Sequence, residues 1–502
     1  MADKRQERRR DINKILLKLW AGITIYLIGN SIIQTLISRT ASFDDAEQLL
    51  LTQDWSLGYG DQPPLYTYLA KLIFIVTGPT LLGLFILKAA ILSLLAGAFL
   101  LIGKELGFRK DQHIASLCGL ALIPQFIWSS QASLTHSVLT TTMAAYTLCL
   151  LIKLIRNPTK LDWWAWLGVF VAGGMLSKYN FAVFLAGLLT GSLLVPGIRR
   201  IMTSRGLLFS VGVSLILLIP HIAWIASNSD IAFSGIRDAK TTNLPALAWP
   251  FLGLGIALAF LSPFWIAALT LIWPERLRLQ TAEPSREPAK ALIQQLPLVM
   301  MGTILVVIIV VTKDVVPRSH WFQCLLFFTP ISAASFLPPI PKSKVKWLTA
   351  TALAGAAATT AILPSGILLA GVTGKSRVRN QPVTELISSL RESHQIPDLI
   401  AANSIYLAGN ARLAFPETIV LHLAEGGEEE QVDTTINRVR EGQFQRVLII
   451  ATTKEEARAV TDSVHRLHRG LRQLSHNSKT GPFYWAPNKK FTIFYTWLGK
   501  AS

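Results

Sequence analysis

Charge is scarce in this sequence. Only 16% of its 502 residues are Asp, Glu, Lys or Arg, against 51% hydrophobic residues, and the mean hydropathy is +0.42. Such a chain has too little polar surface to clothe soluble domains along its whole length, so the bilayer is its solvent for most of it. Cysteine is scarcer still. Cys118, Cys149 and Cys324 all fall inside apolar runs, which excludes a disulfide framework and any metal-ligand spacing of cysteines. No Gly-rich phosphate loop is present, so the common nucleotide-binding sites are excluded. Broken internal repeats of the kind that build many transporters are missing too. Acidic residues are outnumbered 30 to 48 by basic ones, for a net charge of +18. The excess lies in short clusters between apolar runs rather than on one face of a soluble fold. That pattern belongs to cytoplasmic loops and argues against nucleic acid as a partner.

What is present is a series of apolar runs of roughly 15 to 25 residues, read as helices that cross the hydrocarbon of a bilayer. They number about eleven: Ile15 to Ile37, Leu81 to Ile102, Ile114 to Trp128, Leu134 to Ile155, Trp163 to Leu176, Phe181 to Val195, Leu207 to Ile225, Trp249 to Trp273, Leu292 to Val311, Phe322 to Leu337 and Trp347 to Val372. The basic start, with Arg8, Arg9 and Arg10, has the charge order of a signal peptide, but the stretch behind it is long enough to be a retained first span. Alternate loops repeat the basic character, at Lys104/Arg109/Lys110, Lys153/Arg156/Lys160, Arg199/Arg200/Arg205, Arg276/Arg278/Arg286 and Lys342/Lys344/Lys346. This asymmetry predicts a cytoplasmic N-terminus, an odd number of spans and a tail on the opposite side.

The expected organisation is therefore a transmembrane part over 1–372, with long external loops at 38–80 and 227–248, and a soluble domain over 373–502. In the first loop, amphipathic stretches place Trp55, Tyr59, Tyr66 and Tyr68 at headgroup depth. The tail gives helix signals at Pro382 to His394, Glu429 to Arg440 and Glu455 to His468. It gives strand signals at Asp398 to Ala402, Val447 to Ile450 and Phe491 to Tyr495. These predict a small α/β domain.

Ionisable residues gathered at one membrane face are the chemical candidates. They are Asp44, Asp45, Glu47 and Asp61, followed by His136, Lys178, His221, Arg237, Lys313, Arg318 and His320. A carboxylate can take the proton of an attacking hydroxyl, and fixed cations can stabilise a departing phosphate. Each residue also has a plainer reading. Asp44 and Asp45 could serve only the dipole of a following helix, and Lys178 could snorkel to the interface. His136 and His221 could be satisfied partners in helix packing, and Lys88 could pair with an acidic neighbour inside its span.

The order of features goes further: a span, then Phe43-Asp44-Asp45-Ala46-Glu47, then Gly58-Tyr59-Gly60-Asp61-Gln62-Pro63-Pro64-Leu65. This resembles the first external loop of the bacterial protein-mannosyltransferase-like glycosyltransferases, GT-C enzymes of family 39. Leu176-Ser177-Lys178-Tyr179 and Pro317-Arg318-Ser319-His320-Trp321 resemble later segments of the family. The pattern Trp128-Ser129-Ser130-Gln131 with Leu134-Thr135-His136-Ser137 is similar to that of rhizobial lipopolysaccharide galacturonosyltransferases.

The resemblance implies an all-α polytopic bundle of GT-C type with a C-terminal periplasmic α/β domain, in a bacterial inner membrane. It implies inverting transfer of a sugar from a polyprenyl phosphate donor to an envelope glycolipid such as lipopolysaccharide. Asp44 would be the general base and Asp45 its catalytic companion. Lys178, Arg318 and His320 would bind the donor phosphate. Glu47, Tyr59, Asp61, His136 and His221 would position the acceptor or the loops. Asp45, Gln62 and His136 depart from the family pattern. They leave a divalent metal cation open, with Asp44 and His136 as the pair that would hold it. The competing readings are a flippase or transporter of a lipid-linked sugar, transfer to a protein acceptor, and a scaffold whose tail recruits partners.

Overall fold

The computed structural model describes residues 2–237, 248–272, 287–312, 316–391, 396–423, 444–468 and 470–500. Among these, six helices are long and apolar enough to cross a membrane: Arg10–Ile37, Leu81–Glu105, Thr135–Arg156, Arg205–Ser227, Pro288–Val310 and Lys342–Leu368. At 1.5 Å per residue, even the shortest exceeds about 30 Å. Two bent pairs raise the number to eight if each is one broken span. These are Lys110–Ala121 with Gln125–Ala132, bent by 75°, and Ala248–Phe260 with Ser262–Leu269, bent by 66°. The chain is a multi-pass membrane protein.

The expected eleven spans are not reached by this measure. Leu161–Met175 has 15 residues and Phe181–Leu194 has 14. The run from Phe322 to Leu337 is broken into the turn Ser319–Phe322 and the short helices Gln323–Leu326 and Thr329–Phe336. Hydropathy sums residues without seeing breaks. Pro330 sits in the first turn of its short helix, where its missing N–H costs nothing but ends any helix arriving from before it.

The chain divides into two compact units, Met1–Ile28 with Asp61–Pro63 and Lys88–Thr359, and Gly29–Gly60 with Pro64–Leu87 and Thr360–Ser502. In the first unit the Thr135–Arg156 helix is buried on nearly all sides, and the hydroxyls of Thr140, Thr141 and Thr142 are satisfied by carbonyls one turn earlier. The Leu161–Met175 helix packs against Arg205–Ser227. At their closest approach a Cβ on Gly168 would lie 2.4 Å from the Ser210 carbonyl oxygen. Small residues at such crossings let backbones meet where lipid supplies no hydrophobic drive.

The second unit is built on a five-stranded sheet of order β2-β1-β3-β5-β4. Its strands are β1 (Leu399–Ala402), β2 (Ile419–His422), β3 (Arg446–Ala451), β4 (Leu471–Phe483) and β5 (Ala486–Lys500). The first three run parallel, while β5 is antiparallel to β3 and β4 to β5. One face is covered by the Lys454–Leu467 helix, which inserts Val460 and Val464. That helix starts at Thr453, whose side chain and Glu456 cap each other's backbone amides. The other face is covered by Ile405–Ala414 and Val383–Ser388, and its core also contains Leu50 from the first loop.

The α/β character expected of the tail is therefore observed. The strand signals at Asp398 to Ala402, Val447 to Ile450 and Phe491 to Tyr495 fall on β1, β3 and β5. The helix expected over Pro382 to His394 shrinks to Val383–Ser388. The one expected over Glu429 to Arg440 lies outside the described residues.

Candidate active site

In the second unit, Ser42 precedes the Phe43–Leu51 helix, whose first turn holds both Asp44 and Asp45. Carboxylates there suit the positive end of the helix dipole, which accounts for the position of both. Their surroundings nevertheless differ. Asp45 is only 1% exposed, and its Oδ2 accepts the Ser42 hydroxyl at 2.5 Å. Asp44 is half-buried and keeps access to solvent.

Two buried groups feel this acidic turn. Burial raises the Tyr66 phenol far above its ordinary range, and Asp45 and then Asp44 add to the effect. Burial lowers the Arg379 guanidinium, against the opposing pull of Asp45. Arg379 is fixed by hydrogen bonds from its guanidinium to the Gln34 carbonyl at 2.6 Å and side chain at 3.4 Å. It lies 5.3 Å from the Phe85 ring centroid, a cation–π distance.

Of the loop's aromatic residues, Tyr59 and Tyr66 are buried inside the protein, whereas Trp55 is exposed. Tyr59 gives its hydroxyl hydrogen to the Asp54 carbonyl at 2.8 Å and accepts from the Ser56 amide at 3.0 Å. It packs edge-on against Tyr68. Burial pushes its phenol well above the usual range, so it acts as a neutral brace that closes the loop. Glu47 is half-buried on the same helix as Asp44.

The first unit assembles the basic candidates. Lys178 stands in the turn between Leu161–Met175 and Phe181–Leu194 and donates to the Ser137 hydroxyl at 2.9 Å. The preceding Ser177 carbonyl meets His136 Nδ1 at 3.2 Å, so that nitrogen carries the proton and Nε2 is the acceptor. Asn180, at the end of the turn, donates to the Trp321 carbonyl at 2.9 Å, which ties the turn to the segment bearing Arg318 and His320. Burial, then the Lys178 and Arg318 charges, hold the His320 imidazole down to about 3. His320 is thus a neutral hydrogen-bonding group at neutral pH, within the influence of two cations. Arg318 itself is exposed.

A second chain of contacts reaches Asp61. Tyr179 meets His221 Nε2 at 3.3 Å and stacks on its ring, and His221 stacks on Trp224. Burial, then Asp61, pushes the Tyr179 phenol up to about 12. A Cβ on Gly235 would come within 2.1 Å of Asp61 Oδ2, so a larger residue there would displace the carboxylate. Gln62 donates to Asp61 Oδ1 at 3.1 Å.

Asp61, His136, Lys178, His221, Arg318 and His320 thus belong to the first unit, and Asp44, Asp45, Glu47 and Tyr59 to the second. Lys313 lies outside the described residues, and Arg237 ends the short helix Ser234–Arg237. Among the described residues, no three His, Cys, Asp or Glu side chains converge as a metal site. Sequence reasoning missed Arg379, Tyr179 and Asn180. Only for Tyr179 was there a signal, its place beside Lys178.

The first unit also holds an apolar cavity of about 470 Å³ between the N-terminal helix, Leu81–Glu105, Lys110–Ala121 and Lys342–Leu368. Lys18, Tyr26 and Gln131 are its main polar points.

The family described as dolichyl-phosphate-mannose-protein mannosyltransferase matches residues 61–224. The chain is 26% identical to the lipopolysaccharide core galacturonosyltransferase RgtB of Rhizobium johnstonii, over 83% of this chain and 84% of the relative. It is 25% identical to RgtA of the same organism, over 80% and 81%. Among solved structures, ArnT from Cupriavidus metallidurans in the apo state covers 95% of this chain and 97% of its own, at 12% identity and a TM-score of 0.59. The same protein bound to undecaprenyl phosphate gives a TM-score of 0.56. The chain accordingly has the GT-C fold of ArnT and resembles, along most of its length, two lipopolysaccharide core galacturonosyltransferases.

Proposed function

We propose that this chain is an inverting glycosyltransferase that moves a sugar, by preference a hexuronic acid such as galacturonic acid, from a polyprenyl phosphate to an envelope glycolipid. The observation that carries this reading is the hydrogen bond from Asn180 to the Trp321 carbonyl at 2.9 Å, which brings the turn of Lys178 to the segment bearing Arg318 and His320. Two cations near one neutral donor suit a phosphate on which negative charge grows.

In the proposed reaction the Asp44 carboxylate takes the proton of an acceptor hydroxyl. The hydroxyl oxygen bonds to the anomeric carbon as the bond from that carbon to the phosphate oxygen breaks. Lys178 and Arg318 then hold the departing phosphate, with His320 donating a hydrogen bond. Asp45 is the buried support of Asp44, Glu47 and Tyr59 shape the loop, and Asp61, His136 and His221 position the acceptor side. The apolar cavity of about 470 Å³ suits part of a polyprenyl chain entering from the bilayer. The arrangement we propose has residues 1–372 as the catalytic membrane part, a cytoplasmic N-terminus and a periplasmic domain over 373–502, in the inner membrane.

The test is mass spectrometry of envelope lipids from cells with and without the gene. A difference of one hexuronic acid supports the reading. A difference of a hexose defeats the choice of sugar, and no difference defeats the enzyme.

A further inference from the structure

Two consecutive residues of the Ile405–Ala414 helix hold both ends of the acidic turn. Asn410 is completely buried. Its Oδ1 accepts the Ala41 amide at 2.9 Å and the Thr384 hydroxyl at 2.8 Å, and its Nδ2 donates to the Tyr406 carbonyl at 2.8 Å. A buried amide side chain in mid-helix is unfavourable unless its hydrogen bonds are made. Here one of them is spent on the chain three residues before Asp44.

Gly409 grips the other end. A Cβ there would stand 2.2 Å from the Ala46 carbonyl oxygen and 2.4 Å from its Cα, so the two backbones meet as closely as glycine permits. Around this pair, Thr40 donates to the Gln381 carbonyl at 2.7 Å. Phe43 packs on Tyr406 with centroids 5.2 Å apart, and Leu50 is part of the sheet domain's own core. The Phe43–Leu51 helix is folded as a member of the C-terminal unit, and Asp44 lies between the two clamped points, Ala41 and Ala46.

We propose that Asn410 is a positioning residue for Asp44, acting through the Ala41 amide, so that the C-terminal domain sets the catalytic geometry. This rests on the reading of Asp44 as the base. A carboxylate displaced by about 1 Å loses on the order of a hundredfold in rate without weakening donor binding, because the phosphate contacts come from other residues.

The experiment measures kcat and donor KM of the purified full chain with undecaprenyl-phosphate-linked galacturonic acid and a lipopolysaccharide core acceptor, for Asn410→Ala, Thr384→Val and Asp44→Asn. Asn410→Ala should lower kcat by roughly ten- to a hundredfold with donor KM within about twofold. Thr384→Val, which leaves the Ala41 bond intact, should keep kcat. A wild-type kcat in Asn410→Ala, or an equal fall in both variants, overturns the proposal. Should Asn410→Ala not reach the membrane, Gly409→Ala displaces the same turn from its other side. Lost kcat at unchanged donor KM then supports the proposal, and unchanged kcat overturns it. An active Asp44→Asn would instead remove the reading beneath it.

Discussion

Gln53 and Val420 exchange two hydrogen bonds across 367 residues of chain: Gln53 Nε2 donates to the Val420 carbonyl at 2.9 Å, and the Val420 amide donates to Gln53 Oε1 at 2.8 Å. The side-chain amide imitates a neighbouring strand at the outer edge of β2, where the sheet would otherwise end in unpaired backbone groups. Gln53→Leu should therefore lower thermal stability by about 1–2 kcal/mol. An unchanged unfolding temperature in the purified protein would contradict the pairing.

Asp45 and Asp44 should separate in what they damage. Asp45→Ala removes the acceptor of the Ser42 hydroxyl and the carboxylate that offsets the buried Arg379 charge. A loss of about 2–4 kcal/mol is expected from stranding such groups, read as a lower unfolding temperature. Full stability with lost turnover would mean that Asp45, not its neighbour, meets the substrate.

Lys178 is expected to act on the departing phosphate. Lys178→Met should reduce kcat by about a hundred- to a thousandfold, the effect of deleting one donor aimed at developing charge. Arg318→Gln should fall in the same direction. A change confined to KM for the acceptor would move Lys178 to the acceptor side.

His320 gives a pH signature. Its folded-state pKa of about 3 lies below the ordinary value near 6.5. Between those limits the unfolded chain binds a proton that the folded protein does not. The unfolded state binds more protons there, so stability falls as pH drops from about 6.5 toward 3 and is unaffected by this group above that window. His320→Gln should flatten the unfolding temperature against pH in the window. An identical slope would show that His320 already carries its proton when folded.

Much of this was legible in the sequence where the signal is local. A long apolar run reads as a span wherever the helix is unbroken, as over Leu81–Glu105 and Thr135–Arg156. Short apolar runs read as β1 and β3 because those strands are buried. Local patterns fail where partners are distant or breaks intervene. Nothing near Arg379 announces Asp45, and nothing near Asn410 announces Ala41. Tyr59 and Tyr66 have the composition of interface anchors, yet tertiary packing buries both. Strand β4 escapes a local reading because its sequence is polar and mostly exposed, whereas β2 is no shorter than β1 and is fixed only by pairing with it.

The measurement that bears most directly on the account is sugar transfer by purified Asp44→Asn, from undecaprenyl-phosphate-linked galacturonic acid to a lipopolysaccharide core acceptor. The substitution keeps size and shape and removes the charge that accepts the proton. The account predicts turnover reduced by about a hundred- to ten-thousandfold, with an unfolding temperature equal to that of the unaltered protein. Turnover at the normal rate would contradict it.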